Sequence, residues 1–455
     1  MRATPRAVAL PLILAAASLA ALSPLFGQGV PRAPLPPATG AAPAHAAPAL
    51  TPVRPETVGL SAARLERLTP VLQRYVDEGR LPGAVVLVAR HGRIAYLRSV
   101  GARDREAAAP LRPDAIFRIA SQSKAIVTAA ALVLQEEGAL LMSDPVGKYL
   151  PEFMHTTVAV PRADGANGGY DVVPARRPIT LRDLVTHTSG ASYGNGPAAD
   201  RWKAAGIQGW YFADRDEPIG ATIARMAALP FDAQPGEKWI YGYGIDILGA
   251  VLEKASGRPL DELVRSRILQ PLRMRDTHFY LPPDQRDRLA TVYSLRDPAG
   301  RIERAPATGT MESQGQYADG PRRSFSGGAG LLSTASDYAR FLQMLLDGGV
   351  LDGVRVLSPA SVRLMTTDHV GARYTSPGQG FSYGFSVVTD AGARGEPGST
   401  GEFGWGGAYH STYWVDPRED LVVVYLTQVL PAAGLDDMGK VRAIVYGAIT
   451  DDGRR

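Results

Sequence analysis

A segment of ten residues, Ala125 to Leu134, is apolar at every position except Thr128. Because apolar side chains occupy all sides of such a helix, the segment predicts a helix that is buried all round, and Gly138 provides its end. Ser121 precedes the apolar segment, and Lys124 lies one helical turn after Ser121 on the same face. The pattern therefore places a hydroxyl and an amine together at the start of a core helix.

Periodic apolar positions elsewhere predict further helices and strands on both sides of this helix. Before it, the predicted elements are a helix from Ser61 to Glu78, capped by Ser61, and a hairpin with strands Ala84 to Ala89 and Ile94 to Leu97 around His91-Gly92. After it, they are a glycine-rich strand or bulge from Phe325 to Ser333, a helix from Thr334 to Leu346, strands from Thr412 to Val415 and from Leu421 to Thr427, and a helix from Val441 to Ile449. The middle of the chain predicts helices joined by long loops, one of them a surface loop from Val160 to Arg177.

Hairpins near both ends and a helical middle predict an α/β (α+β) fold. We expect one antiparallel sheet, flanked by helices and built from both termini, with an inserted all-α subdomain. The expected α/β lobe covers about residues 51–115 and 325–455, and the α lobe about residues 116–324. A cleft between two such lobes is the expected place for a site.

The first 46 residues differ in composition from the rest of the chain. Arg2 and Arg6 precede an apolar run from Ala7 to Leu22, and a tail rich in proline and alanine follows. This order and small-residue sites such as Ala44-His45-Ala46 predict a secretory signal peptide with a flexible tether, and therefore an exported, periplasmic or secreted protein. An uncleaved anchor is the alternative, but the run is shorter than the ~20 apolar residues of a spanning helix.

Composition narrows the possible classes of function. The 455 residues are 45% hydrophobic and carry a formal net charge of +4 without a basic run, so neither nucleic acid nor a membrane surface is an expected partner. The absence of cysteine excludes thiol nucleophiles, thiolate metal sites and disulfides. The 7 histidines are scattered, so we expect no metal and no cofactor. The expected partner is a small-molecule ester or amide substrate.

The pair Ser121-x-x-Lys124 is a candidate nucleophile with its base. An ammonium at the edge of an apolar helix and a dry cleft loses hydration, which favours the neutral amine. A neutral amine can take the proton of a hydroxyl, so a serine can be activated without histidine. The motif fixes only two residues, and about one match is expected by chance in a chain of this length. On this pair alone, a catalytic and a structural role both stay open.

Two further segments can complete such a site. Tyr241 lies on a turn just before a predicted helix, where its hydroxyl can reach a cleft, although a tyrosine more often packs in a core. The segment Gly404 to Ala408 precedes a predicted strand. Its glycines allow backbone N–H groups to approach an oxyanion, although a bulge or strand bend is their commoner use.

The order of these segments resembles the motifs of the serine β-lactamase and penicillin-binding protein superfamily. The matching segments are Phe117 to Lys124, Leu181 to Gly190, Pro235 to Gly249, Gly327 to Phe341 and Gly404 to Asp416, within a resemblance that covers about residues 55 to 450. They are most similar to the class C β-lactamase-like branch that includes the family VIII carboxylesterases. The resemblance implies an acyl-enzyme on Ser121, with Lys124 and Tyr241 as the proton-handling pair. It also implies an oxyanion hole made of the backbone N–H groups of Ser121 and Ala408.

Two departures from the β-lactamase motifs bear on the substrate. Those enzymes carry Tyr-x-Asn where this chain has Tyr241-Gly242-Tyr243, and Lys-Thr-Gly where it has Trp405-Gly406-Gly407. An indole thus replaces a cation that attracts a carboxylate, which implies neutral, apolar acyl groups. His410-Ser411 stands where relatives often have Gly-Thr. The residues expected to line the pocket are Gln122, Tyr243, Trp405, Gly406, Gly407 and His410.

Other functions fit parts of the sequence. Gly190 to Gly194 and Gly380 to Gly384 match the Gly-x-Ser-x-Gly motif of α/β-hydrolases, but neither has a strand before it and a helix after it. A β-lactamase or D-amino-acid peptidase is a closer alternative, and a non-catalytic penicillin-binding-like envelope protein is a further one. His187 is expected to be structural, with hydrogen bonds to its own loop. The function that we predict is a serine hydrolase acting on carboxylic esters of small or medium acyl groups.

Overall fold

The computed structural model describes residues 49–162 and 169–451. The predicted signal peptide and tether, residues 1–46, lie outside the described residues, so export stays a prediction. In the described ranges, no helix has the length and apolar character needed to cross a membrane.

The strands of the described residues form one large sheet and several short ladders. In chain order they are β1 (Thr51–Pro52), β2 (Gly83–Arg90), β3 (Arg93–Asp104), β4 (Ala109–Pro110), β5 (Phe117–Arg118), β6 (Thr157–Pro161), β7 (Tyr170–Pro174), β8 (Tyr293–Leu295), β9 (Glu303–Arg304), β10 (Leu332–Ser333), β11 (Val350–Leu351), β12 (Val354–Arg355), β13 (Gln379–Phe381), β14 (Ser386–Val388), β15 (Phe403–Gly407), β16 (Ser411–Asp416), β17 (Leu421–Leu426) and β18 (Val429–Ala432).

The α-helices are α1 (Ala62–Leu65), α2 (Leu68–Asp77), α3 (Ser123–Glu136), α4 (Leu181–Val185), α5 (Ala199–Ala204), α6 (Ile219–Met226), α7 (Gly244–Ser256), α8 (Leu260–Val264), α9 (Ala335–Leu346), α10 (Pro359–Met365), α11 (Ala391–Arg394) and α12 (Asp437–Gly447). Short 3₁₀ turns cover Pro55–Val58, Ala120–Gln122, Val146–Lys148, Pro151–His155, Pro283–Arg288 and Gly371–Arg373, and a π-helical turn covers Arg265–Leu269.

The large sheet is built from both ends of the chain, as the sequence predicts. Its order is β1-β3-β2-β17-β16-β15-β14-β13, with β4 paired to β3. Every described pairing in it is antiparallel except that of β1 with β3. The two halves join where β17 pairs with β2, from Leu421 opposite Arg90 to Leu426 opposite Val85. The α/β fold with helices on the sheet is therefore confirmed.

Helices cover both faces of the central strands. Val86 and Val88 of β2 pack with the N-terminal helices and α12, whereas Val85 and Leu87 pack with α3. Every residue of β2 and β17 is buried, because alternating side chains of a sheet covered on both faces have no exposed side. Helix α3 is likewise buried from Ser123 through Leu134, as its apolar sequence predicts.

The middle of the chain consists of helices joined by long loops, but it also contains short strands. At the predicted surface loop, β6, which begins just before it, pairs with β7 as an antiparallel hairpin, and further on β8 pairs with β9 and β18. The hairpin is half exposed, with Val160 and Val172 facing solvent. Apolar and polar residues alternate only weakly in its two strands, and a glycine-containing segment separates them in the sequence. The sequence therefore predicts a loop here instead of a hairpin. The predicted strand at Phe325–Ser333 is reduced to Leu332–Ser333, which pairs with β5.

Candidate active site

Ser121 lies in the 3₁₀ turn that leads into α3. The preceding residue, Ala120, has a φ of 43°, a left-handed conformation that is uncommon for a residue with a Cβ. The turn is held in place by the Tyr338 hydroxyl, which donates to the Gln122 carbonyl at 2.9 Å. Ser121 itself is 8% exposed. The start of the core helix thus presents one hydroxyl at a fixed position.

Lys124 directs its amine at Ser121. Its Nζ lies 3.2 Å from Ser121 Oγ, 3.1 Å from the Tyr193 hydroxyl and 2.7 Å from the Gly328 carbonyl. The side chain is 1% exposed, and these three contacts fix the position of its nitrogen. The amine is therefore fixed within proton-transfer distance of the hydroxyl.

Tyr193 is a member of this site that the sequence reasoning missed. It belongs to the segment Gly190 to Gly194, whose Gly-x-Ser-x-Gly pattern points only to the serine, although the matching motif at Leu181 to Gly190 leads directly into it. Burial, and then the nearby Tyr241 and Asp246, raise the pKa of Tyr193 well above its ordinary value. Its phenol therefore stays protonated at neutral pH beside Lys124.

Tyr241 borders the same amine through its ring. Lys124 Nζ lies 4.7 Å from the centroid of the Tyr241 ring, a cation–π distance. The Tyr241 hydroxyl accepts a hydrogen bond of 3.0 Å from the indole N–H of Trp405. The backbones of the loops that carry Tyr193 and Tyr241 lie very close together. A Cβ added to Gly242 would lie only 2.2 Å from the Ala191 carbonyl oxygen.

The glycine-rich end of β15 passes directly beside the serine turn. A Cβ added to Gly407 would lie 2.6 Å from the Ile119 carbonyl oxygen and 2.6 Å from Ser411 Oγ, so only glycine permits this approach. Ala408 follows at the end of the strand and packs in one small cluster with Ala120. The backbone after Gly407 therefore runs next to Ser121, where the sequence places the oxyanion hole.

Aromatic side chains form one wall of the site. Phe381 and Trp405 have ring centroids 5.2 Å apart, Tyr241 and Trp405 5.4 Å, and Trp239 and Phe381 5.4 Å. Tyr374 extends the wall, 4.9 Å from Trp239. We call these five residues the aromatic wall. It carries no formal charge at neutral pH and suits an apolar group.

Three of the predicted lining residues make other contacts. Tyr243 is fully buried, its ring stacks on Trp202 and its hydroxyl donates to the Gly209 carbonyl at 2.7 Å. Its position at the start of α7 turns it inwards, so it supports the Tyr193 ring, 5.1 Å away, instead of lining the cleft. His410 binds Asp437 of α12 at 2.7 Å through Nε2.

The third, Gln122, is fully buried, and its amide nitrogen donates to Ser411 Oγ at 3.0 Å. This bond ties the serine turn to β16, next to Gly406 and Gly407 of β15. Gln122 thus fixes the position of the two backbone segments relative to each other.

His187 packs against the aromatic wall. Its ring lies 4.6 Å from that of Tyr241 and 5.5 Å from that of Phe381, between centroids. Contrary to the expectation, neither ring nitrogen has a hydrogen-bond partner within the described part of the chain. Burial, and then the charge of Lys124, lower the pKa of His187 well below its ordinary value, so the ring is a neutral packing group. Residues 49–162 and 169–451 contain no cluster of His, Asp and Glu able to hold a metal ion.

Neither Gly-x-Ser-x-Gly segment has the geometry of a nucleophile elbow. Ser192 is buried and accepts a hydrogen bond from the Gly194 N–H at 3.1 Å. Ser382 is fully buried between β13 and β14 and donates to the Phe385 carbonyl at 3.1 Å. A nucleophile elbow needs a strand before the serine and a helix after it, so both serines have local structural roles.

Comparison with known proteins places the chain in a family. The family model for β-lactamases matches residues 68–446, and the chain belongs to that family. Esterase EstB of Burkholderia gladioli is 37% identical over 388 residues, which are 82% of this chain and 93% of EstB. Lovastatin esterase of Penicillium rubens is 31% identical over 388 residues, 80% of this chain and 92% of that protein.

A solved structure agrees with these relatives. EstCE1, described as a hydrolase with promiscuous acyltransferase activity, superimposes with a TM-score of 0.72 and 32% identity over 85% of this chain and 99% of EstCE1. Together these proteins confirm the predicted membership of the β-lactamase and penicillin-binding protein superfamily close to the family VIII esterases. They support a serine hydrolase that acts on esters.

Proposed function

We propose that this protein is a carboxylesterase that hydrolyses esters of small or medium acyl groups through an acyl-enzyme on Ser121. One observation carries the proposal: Lys124 Nζ lies 3.2 Å from Ser121 Oγ next to the uncharged aromatic wall. The short distance between the Lys124 amine and the Ser121 hydroxyl is the geometry of an activated nucleophile. The aromatic wall is an environment for a neutral, apolar acyl group.

The proposed reaction begins with proton transfer from Ser121 to the Lys124 amine as the hydroxyl oxygen attacks the ester carbonyl. The carbonyl oxygen becomes an oxyanion, which the backbone N–H groups of Ser121 and Ala408 stabilise. Tyr241 donates its proton to the departing alcohol and recovers one from Lys124. Because Trp405 donates to the phenolic oxygen, the proton of Tyr241 is left for the alcohol. Water then repeats the sequence at the acyl-enzyme.

The contacts of Trp405 and Tyr243 argue against a β-lactam or peptide as the main substrate. Trp405 stands where β-lactamases carry a lysine, and its indole N–H already donates a hydrogen bond to the Tyr241 hydroxyl. Tyr243 stands where they carry an asparagine, and it is fully buried. The chain thus offers neither the cation for a substrate carboxylate nor the amide for a substrate amide at these two positions.

Paired rates on an ester and on a β-lactam test this proposal. The purified protein, Ser121→Ala and Ser192→Ala are assayed with p-nitrophenyl butyrate and with a chromogenic cephalosporin. We expect ester turnover in the wild type and in Ser192→Ala, loss of at least about a thousandfold in Ser121→Ala, and little cephalosporin turnover throughout. Ester turnover that survives in Ser121→Ala would exclude the Ser-Lys mechanism. Turnover of cephalosporin in preference to the ester would favour the β-lactamase alternative.

A further inference from the structure

Asp246 is a fully buried carboxyl group in the first turn of α7, behind the catalytic lysine. Its Oδ1 accepts hydrogen bonds from Ser326 Oγ at 2.6 Å and from the Gly328 N–H at 3.0 Å. Its Oδ2 has no hydrogen-bond partner within the described residues. A buried carboxyl with one satisfied and one unsatisfied oxygen costs free energy, so its presence needs a reason.

A single residue, Gly328, links this carboxyl to Lys124. The Gly328 carbonyl accepts a hydrogen bond from Lys124 Nζ at 2.7 Å, while its N–H donates to Asp246. A Cβ added to Gly328 would lie 2.3 Å from Asp246 Oδ2, so only glycine fits between the two groups. The carboxyl therefore fixes the carbonyl that holds the amine in place.

The charges around Asp246 identify Lys124 as its electrostatic partner. The titratable groups that face it are Lys124, Tyr193 and Tyr243. Burial raises the pKa of both tyrosines far above neutrality, so they carry no charge there. Burial raises the pKa of Asp246 as well, and the charge of Lys124 is the largest opposing influence. Lys124 is thus the positive charge that opposes the effect of burial on Asp246, from the other side of Gly328.

We propose that Asp246 is a positioning residue for the reaction, which holds Lys124 through Gly328 and supplies the negative charge that governs how readily the amine accepts the Ser121 proton. The inference rests on the proposed function. Whenever Lys124 is protonated, the carboxylate compensates its charge inside a core that has no other described anion in contact with it. During acylation it stabilises the ammonium that forms.

The test compares pH profiles of kcat/KM for p-nitrophenyl butyrate in the wild type, Asp246→Asn and Asp246→Ser. The acidic limb of this profile reports loss of a proton from the essential base of the free enzyme. Removing a negative charge near the amine disfavours the ammonium, so we expect the limb to move to lower pH by about one pH unit. We also expect kcat at pH 7 to fall about tenfold or more, since the ammonium formed in the transition state loses its counter-charge.

Asp416→Asn is the matched control. Asp416 is also fully buried and also accepts two hydrogen bonds, from the Arg418 N–H at 3.0 Å and the Tyr446 hydroxyl at 2.9 Å. It lies at the end of β16 and makes no described contact with Lys124. We expect it to lower thermal stability without moving the acidic limb. A carboxyl with a purely structural role at position 246 would give the same result as this control.

Labelling of Ser121 by a fluorophosphonate separates failure of this inference from failure of the proposed function. The labelling rate depends on activation of the hydroxyl even when no ester is turned over. One outcome is that the wild type shows esterase activity or fast labelling while both Asp246 variants keep an unshifted acidic limb. That result overturns the role of Asp246 and leaves the proposed function intact. Slow labelling and no turnover in the wild type would overturn the proposed function itself. Circular dichroism checks folding, and the smaller Asp246→Ser side chain provides a second variant if Asp246→Asn misfolds.

Discussion

Trp405 donates its indole N–H to the phenolic oxygen of Tyr241 at 3.0 Å. β15 carries the donor and the turn before α7 carries the acceptor, so the bond connects the sheet to the helical part of the chain. A neutral donor here orients the phenol without attracting an anionic substrate. Trp405 therefore fixes the position of Tyr241, and in the proposed function it also favours uncharged acyl groups.

Replacing Trp405 by phenylalanine tests this bond. Trp405→Phe keeps an aromatic ring in the wall and removes the donor. A hydrogen bond to the phenol proposed as proton donor contributes about 1 kcal/mol, so we expect kcat for a short-chain ester to fall about fivefold to tenfold. The measurement is steady-state kinetics on p-nitrophenyl butyrate.

Trp239→Phe is the matched control, because the indole N–H of Trp239 is buried without a hydrogen-bond partner in the described ranges. That change also removes an indole from the aromatic wall. We expect it to alter KM and to leave kcat within about twofold of the wild type. Equal losses of kcat in the two variants would show that ring size matters and that the bond to Tyr241 does not.

The elements that carry Ser121 and Lys124 could be predicted because they depend on composition and periodicity. Ala125 to Leu134 is apolar on all sides and can only be a core helix. His91 and Gly92 form the turn of a predicted hairpin, and both have positive φ, as such a turn requires. These signals are local, and the fold preserves them.

The residues that were missed or misplaced lie on turns or at the first turn of a helix, where no periodicity shows which way a side chain points. Tyr193 reaches Lys124 from a loop whose sequence motif points only to its serine. Tyr243 turns into the core although it is two residues from Tyr241. Asp246 reaches Lys124 through Gly328. The Gly328 N–H donates to Asp246 although the two residues are 82 positions apart in the sequence. Such relationships depend on how loops pack together, which a single sequence does not encode in any local pattern.

Tyr193→Phe tests whether the hydroxyl of Tyr193 contributes to catalysis through Lys124. The change removes the hydroxyl that accepts from Lys124 at 3.1 Å and keeps the ring that packs on Tyr243. With one acceptor gone, the amine is less firmly directed at Ser121, so we expect kcat to fall about tenfold to a hundredfold. We expect Tyr241→Phe to have a larger effect, because it removes the proposed proton donor to the alcohol.

Ser192→Ala is a control for that experiment, because Ser192 precedes Tyr193 and the described contacts of its side chain stay within its own loop and Asp232. Its activity is expected to stay within about threefold of the wild type. If Tyr193→Phe retained full activity, the bond to Lys124 would have no part in catalysis.

Gly407→Ala tests the backbone beside the serine turn. The added Cβ would meet the Ile119 carbonyl oxygen and Ser411 Oγ, each at 2.6 Å, and backbone must move to accommodate it. Since Ala408 directly follows, its N–H shifts relative to Ser121, and we expect kcat to fall about a hundredfold or more. The rate of p-nitrophenyl butyrate hydrolysis measures this loss.

The control is Gly439→Ala, in the exposed part of α12, where an added Cβ meets no atom within 4 Å. Alanine is the better helix former, so this variant is expected to be stabilised by up to about 1 kcal/mol with unchanged kcat. A Gly407→Ala protein with normal activity would contradict an oxyanion hole at this strand end.

His187 gives a prediction for stability as a function of pH. Burial, and then the charge of Lys124, depress the pKa of His187 in the folded protein far below its ordinary value near 6.5. The unfolded chain therefore binds a proton that the folded protein does not, once the pH falls below about 6.5. The stabilisation from the neutral ring is complete above that pH. Below it, we expect the free energy of unfolding to decrease by up to about 1.4 kcal/mol per pH unit from this group.

Denaturant unfolding of the wild type and His187→Asn at pH 8, 6.5 and 5.5 isolates this contribution. Asparagine tolerates the φ of 55° at this position and does not titrate, so the variant is less stable at pH 8 but loses less stability on acidification. Asp337 and Asp347, whose pKa values burial raises to about 6, act in the opposite direction in both proteins and cancel in the difference. His155→Asn, at an exposed position, keeps the wild-type pH dependence. Parallel curves for the wild type and His187→Asn would show that the buried ring does not resist protonation.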